Sequence, residues 1–407
     1  MKLREDANKI IEASLRAAQP DRAVQIALKN ADLSGNLYLA AVGKAAWQMA
    51  YAASKLLTFQ AGIVITKYGH CMGEIPRVKI FEAGHPVPDR NSFCGTKEVL
   101  DMTSHLTGKD TVIFLLSGGG SSLFELPLIP EDELADITQQ LLACGADIVE
   151  MNTIRKRLSR VKGGRFAQHC LPARMFSVVL SDIVGDPLDM IASGPAAEDC
   201  STCEEAMAIV KKYNLKLSRQ AAEFLKKETP KKLGNVETHI TGSVRQLCAA
   251  AAKEAEKLGY ETQILTDSLT CTARDAGSFL ASIARYHKDT KKSLAFVAGG
   301  ETVVKLTGKG IGGRNQELAL AAAEGIAGMK NTAVFSVGSD GTDGPTDAAG
   351  GYVDQDTFRK LEQAGISISD ILCDNNAYSA LQCADGLIMT GPTGTNVNDV
   401  SVLLIRR

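Results

Sequence analysis

Hydrophobic positions along this chain switch repeatedly between two periods. Ala7, Ile10, Ile11, Ser14, Leu15 and Ala18 recur at helical spacing until Pro20, and Asp21 opens a second short helix through Leu28. Residues 37–42 (LYLAAV) then read as a strand that runs into Gly43, Lys44 and a helical AAWQMAYAASKLL. The same reading predicts strands over residues 61–66, 78–82, 111–116 and 175–180, with helices over 131–144 and 147–160. From Cys200 to Asn235 the chain turns polar and lysine-rich and reads as a linker. The alternation then restarts with strands over 237–241, 261–266, 293–298 and 332–337, helices over 243–258 and 272–287, a helix after Asp374 and a terminal VSVLLI strand. Short apolar strands alternating with amphipathic helices predict α/β architecture, and 407 residues exceed the size of one ordinary core. The expectation is two α/β domains, 1–233 and 234–407, with strand exchange left open because VSVLLI could return to either sheet.

Composition narrows the function classes. The 45 basic and 47 acidic residues nearly cancel, which gives no electrostatic reason to expect nucleic acid or an anionic membrane as partner. No run of 18 apolar residues is present. Ten cysteines lack framework spacing, and MKLREDANKI carries charge where a signal peptide needs an apolar core, so a reducing cytoplasm and a small-molecule ligand are expected. Cys200 and Cys203 form a CxxC with no second pair at zinc-like spacing, and it reads as incidental.

The candidate chemistry falls where predicted strands end. After residues 111–116 come Ser117, Gly118, Gly119, Gly120, Ser121 and Ser122. A glycine triplet lets backbone approach a ligand and its N–H groups form an anion-binding concavity, although an ordinary strand-to-helix turn fits equally. Lys44 occupies a strand end where ligands bind in open parallel sheets, while His85 in GHPVPD reads as a structural hydrogen-bonder. Arg155, Lys156, Arg157, Arg160, Lys162 and Arg165 surround Gly163 and Gly164, either as a solvated helix end or as an anion site. Asp182, Asp186 and Asp189 share one loop, where they serve as turn residues or as oxygen ligands for Mg²⁺. Gly308, Gly310 and Gly313 fit a weak G-x-G-x-x-G dinucleotide pattern after a strand-like ETVVKL, and Arg314 at the following helix start suggests a guanidinium aimed at phosphate or carboxylate oxygens. Asp340, Asp343 and Asp347 form another acidic strand-end loop without calcium-loop spacing, and no P-loop pattern is present.

Taken in order, AVGKAAWQMA, GHPVPD, LLSGGGSSL, LSRVKGGR, VLSDIVGDPLDMIASGP, AGGETVV, GGRNQELAL, VGSDGTDGPTDAAGG and TGPTGTNVNDV resemble the glycerate 2-kinase family (class II glycerate kinases) over nearly the whole chain. Older usage calls members hydroxypyruvate reductases of tartrate degradation. The resemblance implies two three-layer α/β domains, the first Rossmann-like, with the active site in the cleft between them. It implies an ATP- and Mg²⁺-dependent transfer to the 2-hydroxyl of D-glycerate, giving 2-phosphoglycerate and ADP. Lys44 and Arg314 match the family's catalytic positions. Ser117 to Ser122, with Lys162, Gly163 and Gly164, are the expected substrate or phosphate contacts. Gly299, Gly300, Glu301, Thr302, Gly312, Gly313, Asn315, Asp340, Gly341, Thr342 and Asp343 are the expected nucleotide contacts. Asp182 and Asp189 are the expected metal ligands, with Glu301 and Asp340 behind them. An NAD(P)H-dependent hydroxypyruvate reductase and a non-catalytic sensor of a phosphorylated metabolite are the alternatives, and a homodimer is left open.

Overall fold

The computed structural model describes residues 2–29 and 31–407. The chain divides into two compact units: Ala23–Thr241 forms one, and the residues up to Arg22 join Gly242–Arg407 in the other.

The first sheet holds β1 (Asn36–Val42), β2 (Ala61–Lys67), β3 (Val78–Ala83), β4 (Asp110–Leu116), β5 (Arg174–Leu180) and β6 (Val236–Gly242), in the spatial order β3-β2-β1-β4-β5-β6. β1 to β5 pair in parallel. This is the Rossmann order, and its direction reverses between β1 and β4, which opens a crevice at the carboxyl ends of those two strands. All seven residues of β4 are buried, as a central strand covered on both faces requires. Val42, Ile65, Phe114, Phe124, Phe166 and Val179 belong to one apolar cluster, where the Phe166 ring lies 5.1 Å from the rings of Phe114 and Phe124.

Residues 200–235 are not a linker. Helices Cys203–Tyr213 and Arg219–Leu225, with Leu215 of the turn between them, bury Ala206, Ile209, Ala221 and Leu225 against Ile154 and Leu158, and β6 then completes the edge of the first sheet instead of opening the second. The lysines that gave the segment its linker-like composition cover the outside of a helical lobe. Position along the helix, not average polarity, decides what is buried.

The second sheet holds β7 (Glu261–Leu269), β8 (Leu294–Gly300), β9 (Thr332–Gly338), β10 (Gly350–Asp354), β11 (Leu387–Ile388) and β12 (Asp399–Ile405), ordered β11-β10-β9-β12-β8-β7. Only β7 and β8 are parallel neighbours; the other four pairings are antiparallel. The terminal strand therefore stays in this sheet, fully buried between β8 and β9. Its reversed direction places Asp399, its first residue, beside Gly300 and Gly338, the last residues of its neighbours. Leu294, Phe296, Leu403 and Ile405 alternate onto one face with helices Ala273–Tyr286 and Arg314–Ala323, while Gly299 faces Val244 and Cys248 of helix Val244–Lys257. The result is a three-layer unit with a mixed sheet.

The N-terminal helix Lys2–Ala17 packs with this second unit, so a single cut at 233 does not describe the chain. Its Asp6 is buried, accepts a 2.7 Å hydrogen bond from the Tyr260 hydroxyl and ion-pairs with Arg406. A buried carboxylate is tolerated where a cation and a hydroxyl satisfy it together. Replacement Asp6→Ala leaves Arg406 and Tyr260 without their partner and is expected to destabilise this unit by about 2–4 kcal/mol. A urea titration in which the variant's midpoint matches the parent's would contradict that anchoring role.

Candidate functional site

In the first unit the candidate groups gather at the carboxyl ends of the parallel strands. Lys44 follows β1, His70 follows β2, His85 follows β3, Ser117 to Ser122 follow β4, and Asp182 follows β5. Backbone bonds clamp the two turns at the reversal point: Ser117 N–H donates to Val42 O at 3.0 Å, and Lys44 N–H donates to Gly118 O at 2.9 Å. The Ser117 hydroxyl accepts from Ala45 N–H at 3.1 Å, Thr66 donates to Gly43 O at 3.0 Å, and His70 Nδ1 lies 2.9 Å from Lys44 O.

Gly119 has φ +88°, and a methyl group there would meet His85 Nε2 and Lys44 Cγ, each at 3.2 Å. The Asp182 carboxylate lies so close to Gly118 that no side chain fits at that position. The glycines thus let a lysine, a histidine and an aspartate converge on bare backbone. The Lys44 side chain is half-buried, and no carboxylate among the described residues ion-pairs with its ammonium. Burial, and then the nearby Lys44, Lys67 and His70, holds His85 below the ordinary imidazole value. A neutral imidazole beside an ammonium is equipped to orient ligands by hydrogen bonding. The sequence reading missed His85, because a single histidine in a proline-rich loop gives no sign of the glycine it will face.

The basic run behaves differently from both readings of it. Lys156, Arg157 and Lys162 are almost wholly buried. Lys156 bonds Asp189 and Asp199 at 3.0 Å each, and Arg157 bonds Ser201 and Glu228. Lys162 donates to Ser121 O at 2.8 Å and Phe124 O at 3.0 Å, with the buried Glu125 carboxylate at 3.3 Å. Burial outweighs Glu125 and pulls this ammonium down to about 8. The N–H groups of Gly163 and Gly164 donate to Ser193 O and Gly194 O at 3.0 and 2.7 Å. Lys162, Gly163 and Gly164 are therefore internal supports of the glycine-rich turn, since their polar groups are already engaged. Asp189 is likewise held by Lys156, which also balances the Asp189–Asp199–Cys200 grouping, whereas the buried Asp186 Oδ1 has no hydrogen-bond donor.

In the second unit the predicted residues gather around the N-terminus of helix Arg314–Ala323. Arg314 Nε lies 2.5 Å from Asp399 Oδ2, its NH2 lies 3.1 Å from Asp399 Oδ1, and its NH1 lies 2.8 Å from Glu301. Burial raises the Asp399 carboxyl and Arg314 opposes that shift. The sequence reading placed Arg314 toward ligand oxygens and overlooked Asp399, which looks like a loop residue until β12 is known to run antiparallel. Asp343 accepts from Asn315 N–H at 3.1 Å and Gln316 N–H at 2.8 Å, so it caps this helix. Asn315 is buried and bonds Ser336 as well. Asp340 closes its own turn by accepting from Thr342 N–H at 3.0 Å, with Gly341 between them. Gly299, Gly300 and Thr302 are packed inside, and Gly312 and Gly313 pack against the 343–344 turn and residues 375–377.

The G-x-G-x-x-G match does not form a dinucleotide cradle. No strand spans residues 301–313. The N–H groups of Thr307 and Gly308 donate to Asn375 Oδ1 at 2.7 and 2.9 Å, and that of Gly310 donates to Asp374 O at 2.8 Å. Donors that a pyrophosphate would need are already bonded within the protein.

Two outcomes follow from this geometry. Replacement Gly119→Ala forces a side chain into left-handed backbone against His85 and Lys44, and it is expected to cost about 1–2 kcal/mol in chemical denaturation. A variant as stable as the parent would mean the turn relaxes freely. Burial pushes the Asp343 carboxyl up to about 6, above its unfolded value near 3.8. The folded state then binds more protons between those values, so this group's contribution is full below pH 4 and is lost as pH rises through 6, by about 3 kcal/mol in all. Stability curves from pH 4.5 to 6.5 are expected to lose that downward component in Asp343→Asn; an unchanged slope would show that Asp343 stays ionised throughout.

Two family models match the chain, one described as a domain of unknown function (DUF4147) over residues 6–226 and one as the MOFRL family over residues 294–399. A D-glycerate 2-kinase from Thermotoga maritima is 49% identical, covering 99% of this chain and 98% of its own length. A glycerate 2-kinase from Pyrococcus horikoshii is 39% identical over 100% of this chain and 98% of its own. A putative hydroxypyruvate reductase from Agrobacterium vitis is 36% identical over 99% and 94%, in keeping with the older naming. The crystal structure of the Thermotoga maritima glycerate kinase superposes with a TM-score of 0.96 over 99% of both chains. With full-length identity at this level and the fold matched throughout, the chain belongs to the glycerate 2-kinase family.

Proposed function

We propose that this protein transfers the γ-phosphoryl group of ATP to the 2-hydroxyl of D-glycerate, giving 2-phosphoglycerate and ADP. The observation that carries the reading is the half-buried Lys44, an ammonium without a carboxylate partner among the described residues, set against side-chain-free backbone at a strand-order reversal. Phosphoryl transfer asks chiefly for alignment and for positive charge on the transferred oxygens. Lys44 supplies such a charge, and His85 and the serine hydroxyls of the turn from Ser117 to Ser122 orient a small hydroxy acid by hydrogen bonding. Arg314 is assigned the second cationic role, with ATP placed beside Glu301 and the turn from Asp340 to Thr342, while the buried Thr302, Asn315 and Asp343 support that surface from behind. In this assignment Asp399 and Asp343 fix the guanidinium and the helix start that carry it.

The oxygen-rich loop after β5 fits Mg²⁺. Asp182 would hold it together with Asp186, whose buried Oδ1 has no donor among the described residues, and Asp189 is engaged by Lys156. When bound, Mg²⁺ neutralises phosphate charge. The hydroxypyruvate reductase alternative is disfavoured by the occupied N–H groups of residues 307–310.

Purified protein given ATP, Mg²⁺ and D-glycerate is expected to form ADP and a single product that ³¹P NMR identifies as 2-phosphoglycerate; 3-phosphoglycerate, or nicotinamide oxidation by hydroxypyruvate, would reject the assignment. Lys44→Met is expected to lower kcat by about 10²–10⁴-fold with an unchanged melting temperature. A folded variant with near-parental kcat would remove Lys44 from the reaction. Arg314→Ala is a poorer probe, because it strands the buried Asp399 and is expected to destabilise the fold as well. Arg314→Lys retains the charge and tests the fork alone.

A further inference from the structure

On the first unit, away from the strand ends, lies a groove of about 770 Å³. Its apolar wall is made by Leu100, Leu126 and Leu128. Lys97, Arg160 and Arg165 also line it, against a single acid, Asp101. The decisive group is Arg165. It is half-buried and ion-pairs with no carboxylate among the described residues; burial and then the Arg157 charge disfavour its cationic form, and only the more weakly felt Asp199 opposes them. Its NH1 is fixed by the carbonyls of Arg157 at 3.2 Å and Ser159 at 2.7 Å. Among the described residues no acceptor bonds its Nε or NH2.

Charges removed from water are ordinarily matched, and a guanidinium locked at one nitrogen presents its remaining donors in a fixed fork. The neighbours add to this demand. Arg160 is exposed with no ion-pair partner among the described residues, and Lys97 is likewise unpaired. His169 Nε2 lies 2.9 Å from Leu100 O, which holds the ring on the groove's wall. The groove's backbone is rigid as well: Leu128 N–H donates to Leu158 O and Arg160 N–H to Leu126 O, each at 2.8 Å.

We propose that this groove is a second anion site, taking a small organic molecule that carries a phosphate or carboxylate on an apolar body. Arg165 and Arg160 hold the anionic group and the three leucines receive the apolar part. The site is independent of the assignment of the reaction, because none of its residues belongs to the strand-end cluster.

Phenyl phosphate combines both features and serves as the probe. Calorimetric titration into the full-length protein, with a non-hydrolysable ATP analogue and D-glycerate at saturation, is expected to show one saturable site. Affinity should fall about tenfold or more in Arg160→Glu, which is exposed and leaves folding intact, and again in Arg165→Gln. Phenol, which lacks the charge, should bind at least tenfold more weakly than phenyl phosphate. Absence of saturable binding to the folded parent overturns the proposal, as does equal affinity in Arg160→Glu; a groove covered by a second copy of the chain would give the first of these results.

Discussion

The turn that follows β4 is possible only because residues 118 and 119 carry no side chains. Asp182 closes on one of them, and Lys44 and His85 close on the other at distances that a β-carbon would disrupt. A cation, an imidazole and a carboxylate from three separate strand ends can approach one another only across such bare backbone. The bonds from Ser117 to Val42 and from Lys44 to Gly118 then tie the two turns into one surface at the point where strand order reverses. Behind it, the buried Lys162 and the half-buried Arg155 both donate to the carbonyl of Ser121 and support the turn, while Lys44 remains available in front.

The second unit solves a related problem with opposite means. Its strand ends are crowded with carboxylates, and the antiparallel β12 contributes one more by bringing Asp399 in from the other direction. Arg314 neutralises Asp399 and Glu301 together, and Asp343 caps the helix that carries Arg314. A guanidinium held on a carboxylate fork is preorganised, and little ordering remains for it to undergo on binding an anion.

Much of this was legible in the chain. Runs such as TVIFLL and VSVLLI read as buried strands by their length and β-branched content, and the glycine triplet, Lys44 and Arg314 stand out by type and position. What escaped depended on facts that periodicity does not carry. The helices after Cys200 read as linker because their lysines dominate an average, although Ala206, Ile209 and Leu225 are core. Lys162 read as a phosphate ligand because sequence gives its charge and not its burial against Glu125. His85 and Asp399 gained their roles from strand order and strand direction, which arise only when distant segments pair. ETVVKL has strand composition, yet it pairs only through a single bridge from Val303 to Thr272 before the chain leaves for the loop bonded to Asp374 and Asn375.

The central claim is that the side-chain-free turn receives the small acid, and it is tested most directly by a crystal structure with D-glycerate bound. The glycerate carboxylate is expected within hydrogen-bond reach of the segment from Ser117 to Ser122, with the Lys44 ammonium on the side of the 2-hydroxyl. Glycerate bound elsewhere, with no contact to that segment, would contradict it.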